Sequence, residues 1–181
     1  WLTPATGPDL TPPLLDNLLI SPQQAELARI AAWGRHPVLM AGPAGSGKSL
    51  MAQIIHGLGS DPDLAMQKHI WRQRRQDQSE ESLQSFWRPL IHPHHTVTVQ
   101  GLIGGGNRVR PGELSRAHHG TLLLDELLEF KAPVIEALRE PLETQRVRLA
   151  RASGVSTYDC DLHLIATTNL CPCGDYIPKV P

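Results

Sequence analysis

The stretch GPAGSGKS at residues 42–49 satisfies G-x-x-x-x-G-K-[ST] at every specified position, and that spacing builds a phosphate cradle. Gly42 and Gly47 permit backbone angles that other residues resist, so the loop's N–H groups can turn inward on phosphate oxygens. The helix that follows adds its positive end. Residues Gly42, Pro43, Ala44, Gly45, Ser46, Gly47, Lys48 and Ser49 are therefore assigned to a nucleotide. Lys48 is expected on the β- and γ-phosphates and the Ser49 hydroxyl on magnesium. The alternative is a Gly-rich turn that matches by chance. Position argues against it, because the motif follows an apolar run and opens a helical one.

A second acidic site lies at Leu122-Leu-Leu-Asp-Glu126, where an apolar strand ends in two carboxylates. Ligands of open α/β sheets bind beyond the carboxyl ends of the strands. Asp125 is accordingly assigned to magnesium and Glu126 to the attacking water as general base. Read alone, the pair fits a solvated strand end equally well; the phosphate loop upstream tips the reading to ATP and Mg2+. Asn169 ends a third apolar run. It can orient water or touch the γ-phosphate as a third catalytic group with Lys48 and Glu126, or it can be an ordinary Asx-turn residue.

These groups need elements to hold them. Ser21–Ala32 reads as a helix with Ser21 as N-cap and Pro22 at the first helical position. Residues 36–41, Thr121–Leu124 and Leu162–Thr168 read as buried parallel strands. Helices are expected from Lys48 to His56, over Glu113–His118 and over Pro133–Glu143. Residues 60–90 are polar and partly helical, and residues 91–112 read as loops with a hairpin. Val147–Tyr158 predicts a β-hairpin turning at Ser153-Gly154. Strands alternating with helices imply an α/β fold with a parallel sheet covered on both faces. Residues 1–20 read as an extended lead-in and 21–181 as one core domain.

The 181 residues suffice for a hydrophobic core, and a net charge of -1 argues against a wholly basic nucleic-acid-coating protein. No apolar run approaches the roughly 20 residues that span a bilayer, so no membrane partner is expected. Three cysteines suit a reducing compartment better than a disulfide framework, which reads as cytoplasmic.

GPAGSGKS, RPGELSRAHHGTLLLDELLEF and LIATTNLCPCG together resemble the AAA+ ATPases of the magnesium-chelatase-like group. HPHHTVTVQGLIGGG and ALREPLE are similar to its ComM-type (YifB-like) branch-migration helicases. The resemblance covers residues 35 to 174. It implies a P-loop NTPase three-layer sandwich with hairpin insertions, and a sensor-1 role for Asn169. It also implies a homo-oligomeric ring, commonly a hexamer, with ATP between subunits. The family's arginine finger and helical lid follow sensor 1, so residues 21–181 are expected to carry the core without that lid and to hydrolyse ATP slowly alone.

The family's two hairpin insertions can line a central channel, and residues 91–112 and 145–158 match their places. Arg146 and Arg148 share one strand face, with Arg151 beyond, which points either to single-stranded or branched DNA or to a solvated charged face. KHIWRQRR at 68–75 reads as a solvated helix. His92, His94, His95 and the pair His118-His119 read as loop-positioning residues or metal ligands. Cys171 and Cys173 read as reduced thiols or half of a zinc site, with Cys160 a remote third. Competing functions are a chelatase-type motor for metal insertion into tetrapyrroles and an enhancer-binding activator, which GELSRAHHGTLLLDEL also resembles although no GAFTGA-like loop is found. A small-molecule kinase would not explain Asp125-Glu126 together with Asn169.

Overall fold

The structure, a computed structural model, describes residues 20–77, 87–106, 110–151 and 154–169. Helix α1 (Pro22–Gly34) starts where the sequence places it. Ser21 accepts the Gln24 N–H, and the Gln24 side chain returns the favour to the Ser21 N–H, closing a capping box. Its buried face is Ala28, Ala31 and Ala32, small residues that let α1 lie close against α2 (Lys48–Gly57).

Strands β1 (Val38–Ala41), β2 (Leu90–Ile91), β5 (Thr121–Leu124) and β8 (His163–Thr168) form one parallel sheet in the order β1-β8-β5-β2. Alternation on the central strands creates two cores. Leu123 and Ile165 point into one, shared with α1 and α2. Leu122, Leu124 and Ala166 point into the other, with Leu102, Leu114, Val134 and Leu138. Those four come from α4 (Val99–Ile103), α5 (Glu113–Arg116), α6 (Ala132–Glu136) and the turn after it. The result is a sheet between two helical layers, the α/β sandwich expected.

Two antiparallel ribbons are inserted. One is minimal, β3 (Gly104–Gly105) with β4 (Arg110–Pro111); the other pairs β6 (Arg146–Arg151) with β7 (Gly154–Asp159). Val147 and Leu149 of β6 are buried in the second core, whereas Arg146 and Arg148 face outward. Helix α3 (Leu64–Asp77) carries KHIWRQR; Lys68 and Arg72 are exposed and Ile70 is buried.

The structure departs from the sequence reading in four places. The run 36–41, expected as a buried strand, is an edge strand, β1, paired with β8 and leaving Leu39 exposed. The helix expected over Pro133–Glu143 is two pieces, α6 and α7 (Arg139–Thr144). Pro141 has no N–H to give the Ala137 carbonyl, and its ring crowds that carbonyl, so the ladder breaks at Ala137-Leu138. The segment 91–112 contains α4, capped by the Thr98 hydroxyl on the Gly101 N–H at 3.0 Å. The sheet also has a fourth strand, β2. It lies close to β5 because Gly120 lacks a side chain: a Cβ there would meet the Pro89 carbonyl oxygen at 2.0 Å, and Thr121 N–H donates to that same oxygen at 2.8 Å.

Candidate nucleotide site

Three parallel neighbours in register bring their carboxyl ends to one edge. Ala41 lies beside Thr168 and Leu124 beside Ala166, so Gly42, Asp125 and Asn169 leave the sheet together. Gly42 N–H donates to the Thr168 carbonyl at 3.2 Å, tying the phosphate loop to β8. Gly45 (φ 73°) and Gly47 (φ 82°) take left-handed backbone that side-chain-bearing residues resist, whereas Gly42, expected to do so with Gly47, does not. Gly47 caps α2, and the first turn of that helix holds no acidic residue, so its positive end is not neutralised locally.

The structure brings four of the expected side chains together in two pairs, Lys48 with Asn169 and Ser49 with Asp125. Lys48 Nζ donates to the carbonyls of Gly42 (2.9 Å) and Pro43 (2.7 Å) and to Asn169 Oδ1 (3.0 Å). The Ser49 hydroxyl lies 3.2 and 3.1 Å from the two carboxylate oxygens of Asp125. A hydroxyl beside a carboxylate is an all-oxygen donor set, which suits magnesium. Glu126 is exposed next to Asp125 and takes left-handed backbone (φ 56°, ψ 53°) as it enters the 3-10 turn Leu127–Glu129. Sequence reasoning passed over Thr167. Its hydroxyl accepts the Glu126 N–H at 3.0 Å and donates to Asp125 Oδ1. The available signal was a pair of threonines, Thr167-Thr168, closing a buried strand just before Asn169.

The histidines gather elsewhere. His118 and His119 enter β5, at the sheet edge opposite the phosphate loop, with ring centroids 3.7 Å apart and the His69 ring 6.1 and 5.8 Å away. Nitrogen atoms of the three lie within 4.8 Å of one another. A metal-bound histidine uses one ring nitrogen and donates a proton from the other. His118 is arranged the other way: Nδ1 accepts the Asp161 N–H at 3.0 Å, and His119 N–H donates to the Asp161 carbonyl at 2.7 Å. These contacts clamp the starts of β5 and β8. His94 Nδ1 lies 2.9 Å from the Thr96 hydroxyl in a tight turn, with the His95 ring 4.0 Å from its own. Cys171 and Cys173 lie outside the described residues. Cys160 is buried, and burial pushes its thiol up to about 11.

Burial sets a pH limit on this far edge. His56, on Thr121 Oγ1 at 2.9 Å, is pushed down to about 4 by burial, then by the charges of His163 and Arg88. His118 is pushed to about 4 by burial and then by His119. Both native values lie below the unfolded value of about 6.5, so between them the unfolded chain binds more protons. Stability is therefore complete above about pH 6.5 and falls as pH drops toward 4. Between pH 7 and 5, above most carboxylate titration, each histidine removes roughly 2 kcal/mol. Melting curves across that window check this; a constant melting temperature would contradict it.

The family described as magnesium chelatase, subunit ChlI, matches residues 15–180. YifB of Escherichia coli (strain K12) is 39% identical over 150 residues, covering 81% of this chain and 29% of its own length. The competence protein ComM of Haemophilus influenzae is 36% identical over 174 residues, covering 87% of this chain and 31% of its own. The chain thus spans well under half the length of these curated relatives. Among solved structures, NtrX from Brucella abortus in complex with ADP has a TM-score of 0.58 at 22% identity, covering 89% of this chain and 33% of that one. At that identity the likeness speaks for the fold. Phosphate loop, acidic strand end, sheet order and the match across nearly the whole chain agree: this chain belongs to the magnesium chelatase subunit ChlI family of AAA+ ATPases.

Proposed function

We infer that this chain is the ATP-binding and hydrolysing core of a ring-forming motor that remodels DNA, driving branch migration. The observation that carries the ATPase part is the convergence of Lys48, Ser49, Asp125 and Asn169 at one sheet edge. The backbone N–H groups of the loop after Pro43 would face the phosphate oxygens. Lys48 exchanges its carbonyl partners for the β- and γ-phosphates. Ser49 and Asp125 hold the metal ion; magnesium, when bound, supplies charge neutralisation on the phosphate oxygens. Glu126 takes a proton from the attacking water, and Asn169 orients that water or the γ-phosphate.

The DNA part is supported by the similarity to ComM, a competence protein, and by the outward row of Arg146 and Arg148 on the inserted ribbon. Arg146 has an exposed partner, Asp159, at 3.5 Å. An exposed pair of this kind contributes little and gives way easily to a phosphate. The family description favours a second reading, a chelatase-type motor acting on a protein partner. Among the described residues no helix is long and apolar enough to cross a membrane, and we place the motor in the cytoplasm.

The experiment is a DNA titration on the full-length protein at several salt concentrations, with single-stranded and four-way-junction DNA. Removing Arg146 and Arg148 together is expected to lower the salt slope by roughly one to two units, because each phosphate contact contributes about 0.7–0.9. An unchanged slope removes the ribbon from the interface. A parent that binds neither DNA moves the chelatase-type reading ahead.

A further inference from the structure

Thr167 joins the two acidic residues at the strand end, and nothing in the motif spacing announces it. Leu124 and Ala166 are the last paired residues of β5 and β8, so Asp125 and Thr167 emerge side by side. Thr167 is completely buried. A hydroxyl offers one donor and two acceptor positions, and a buried one left unpaired is costly. Here it is used twice. It accepts the N–H of Glu126 at 3.0 Å, and it donates to Oδ1 of Asp125.

Each bond has a consequence. Glu126 sits in left-handed backbone, which persists for a residue other than glycine only where its surroundings over-determine it. The turn takes its N–H out of the β5–β8 ladder, and the Thr167 hydroxyl gives that donor a partner. The bond to Asp125 occupies one side of Oδ1 and fixes the rotation of the carboxylate, so that both oxygens lie 3.1–3.2 Å from Ser49. Threonine is β-branched and stiff about χ1 in a strand, so the hydroxyl itself has little freedom.

We propose that Thr167 is a positioning residue for the magnesium and water groups. Its one hydroxyl sets the Asp125 carboxylate toward Ser49 and holds Glu126 in the turn that separates the two acids. The inference rests on the ATP site described above and adds to it a residue that touches neither nucleotide nor metal.

The test uses the full-length protein and compares Thr167→Val, which keeps the branched shape without the hydroxyl, with Thr167→Ser, which keeps the hydroxyl without the methyl. A fluorescent ATP analogue is titrated in EDTA and then at increasing Mg2+, and turnover is followed in parallel. Thr167→Val should bind the analogue in EDTA with parental affinity. The Mg2+ concentration that half-completes the tightening should rise about 10- to 100-fold, the usual cost of losing a residue that orients a metal ligand. Thr167→Ser should restore the parental midpoint. A parental midpoint in Thr167→Val overturns the proposal; so does a raised midpoint that serine fails to restore, which would mean packing alone. If Thr167→Val does not fold by circular dichroism, Thr167→Ala replaces it under the same criteria. Lys48→Ala separates the two levels: if it keeps parental affinity, the site reading fails; if it loses affinity while Thr167→Val keeps the parental midpoint, only this inference fails.

Discussion

Glu126→Gln is expected to bind ATP as the parent does and to stop turning it over. The substitution removes a proton acceptor and keeps the shape. A positioned general base contributes about 10²–10⁴ in rate, so hydrolysis should fall by that factor. The fold gives little reason for a wider effect. Residue 126 is held by its backbone: its N–H goes to Thr167, and its carbonyl accepts from the Glu129 N–H at 2.8 Å. Glutamine retains both bonds. Asp125 and Ser49 still face each other, so magnesium-dependent binding should survive. Single-turnover hydrolysis of labelled ATP by the full-length protein, beside an equilibrium binding measurement, reads the two effects separately. Hydrolysis at the parental rate would remove Glu126 from the role of base.

Lys48→Ala should have the opposite profile, with binding itself lost. The three closest oxygen partners of Lys48 Nζ are the carbonyls of Gly42 and Pro43 and the side chain of Asn169. All three lie around the loop that would receive the phosphates. The ammonium is thus stored beside its point of use, and alanine leaves the cradle without its one mobile positive charge. The readout is thermal. A ligand at 100 times its Kd stabilises the native state by about 2.7 kcal/mol, which for a chain of this size is a rise of roughly 5–10 °C. The parent should show that rise with ATP and magnesium, and Lys48→Ala should show none. An equal shift in both proteins would mean that the nucleotide binds elsewhere.

Much of this arrangement is legible in the residues. GPAGSGKS carries its own geometry, because Gly45 and Gly47 stand where the backbone turns left-handed. The apolar runs before Asp125 and Asn169 are buried on both faces, so they read as hydrophobic strands; the run before Gly42 reads the same way, although its strand lies at the sheet edge with Leu39 exposed. Ser21-Pro22 marks a helix start by local chemistry alone. What escapes the sequence is what depends on distant partners. Leu90-Ile91 is too short for any periodicity, and its strand exists because Gly120 lets Pro89 approach. Pro141 splits a helix whose apolar spacing runs through it. Thr98 caps a helix that Gly101 conceals. Asn169 could be a local turn residue as far as spacing tells, whereas its side chain bonds Lys48 from across the sheet edge. Thr167 looks like one more β-branched strand residue until the register with β5 puts its hydroxyl between Asp125 and Glu126. His69 is far in sequence from His118, and only the packing of α3 brings the rings together.

The central claim is that residues 42–49 with Asp125 form a nucleotide site completed by magnesium. The most direct test is a titration of the full-length protein and its Lys48→Ala variant with a fluorescent ATP analogue, first in EDTA and then with Mg2+. The account predicts saturable binding by the parent, tighter with Mg2+, and no measurable saturation in the variant. Equal affinity in the two proteins, or a parent that does not bind the analogue at all, would contradict it.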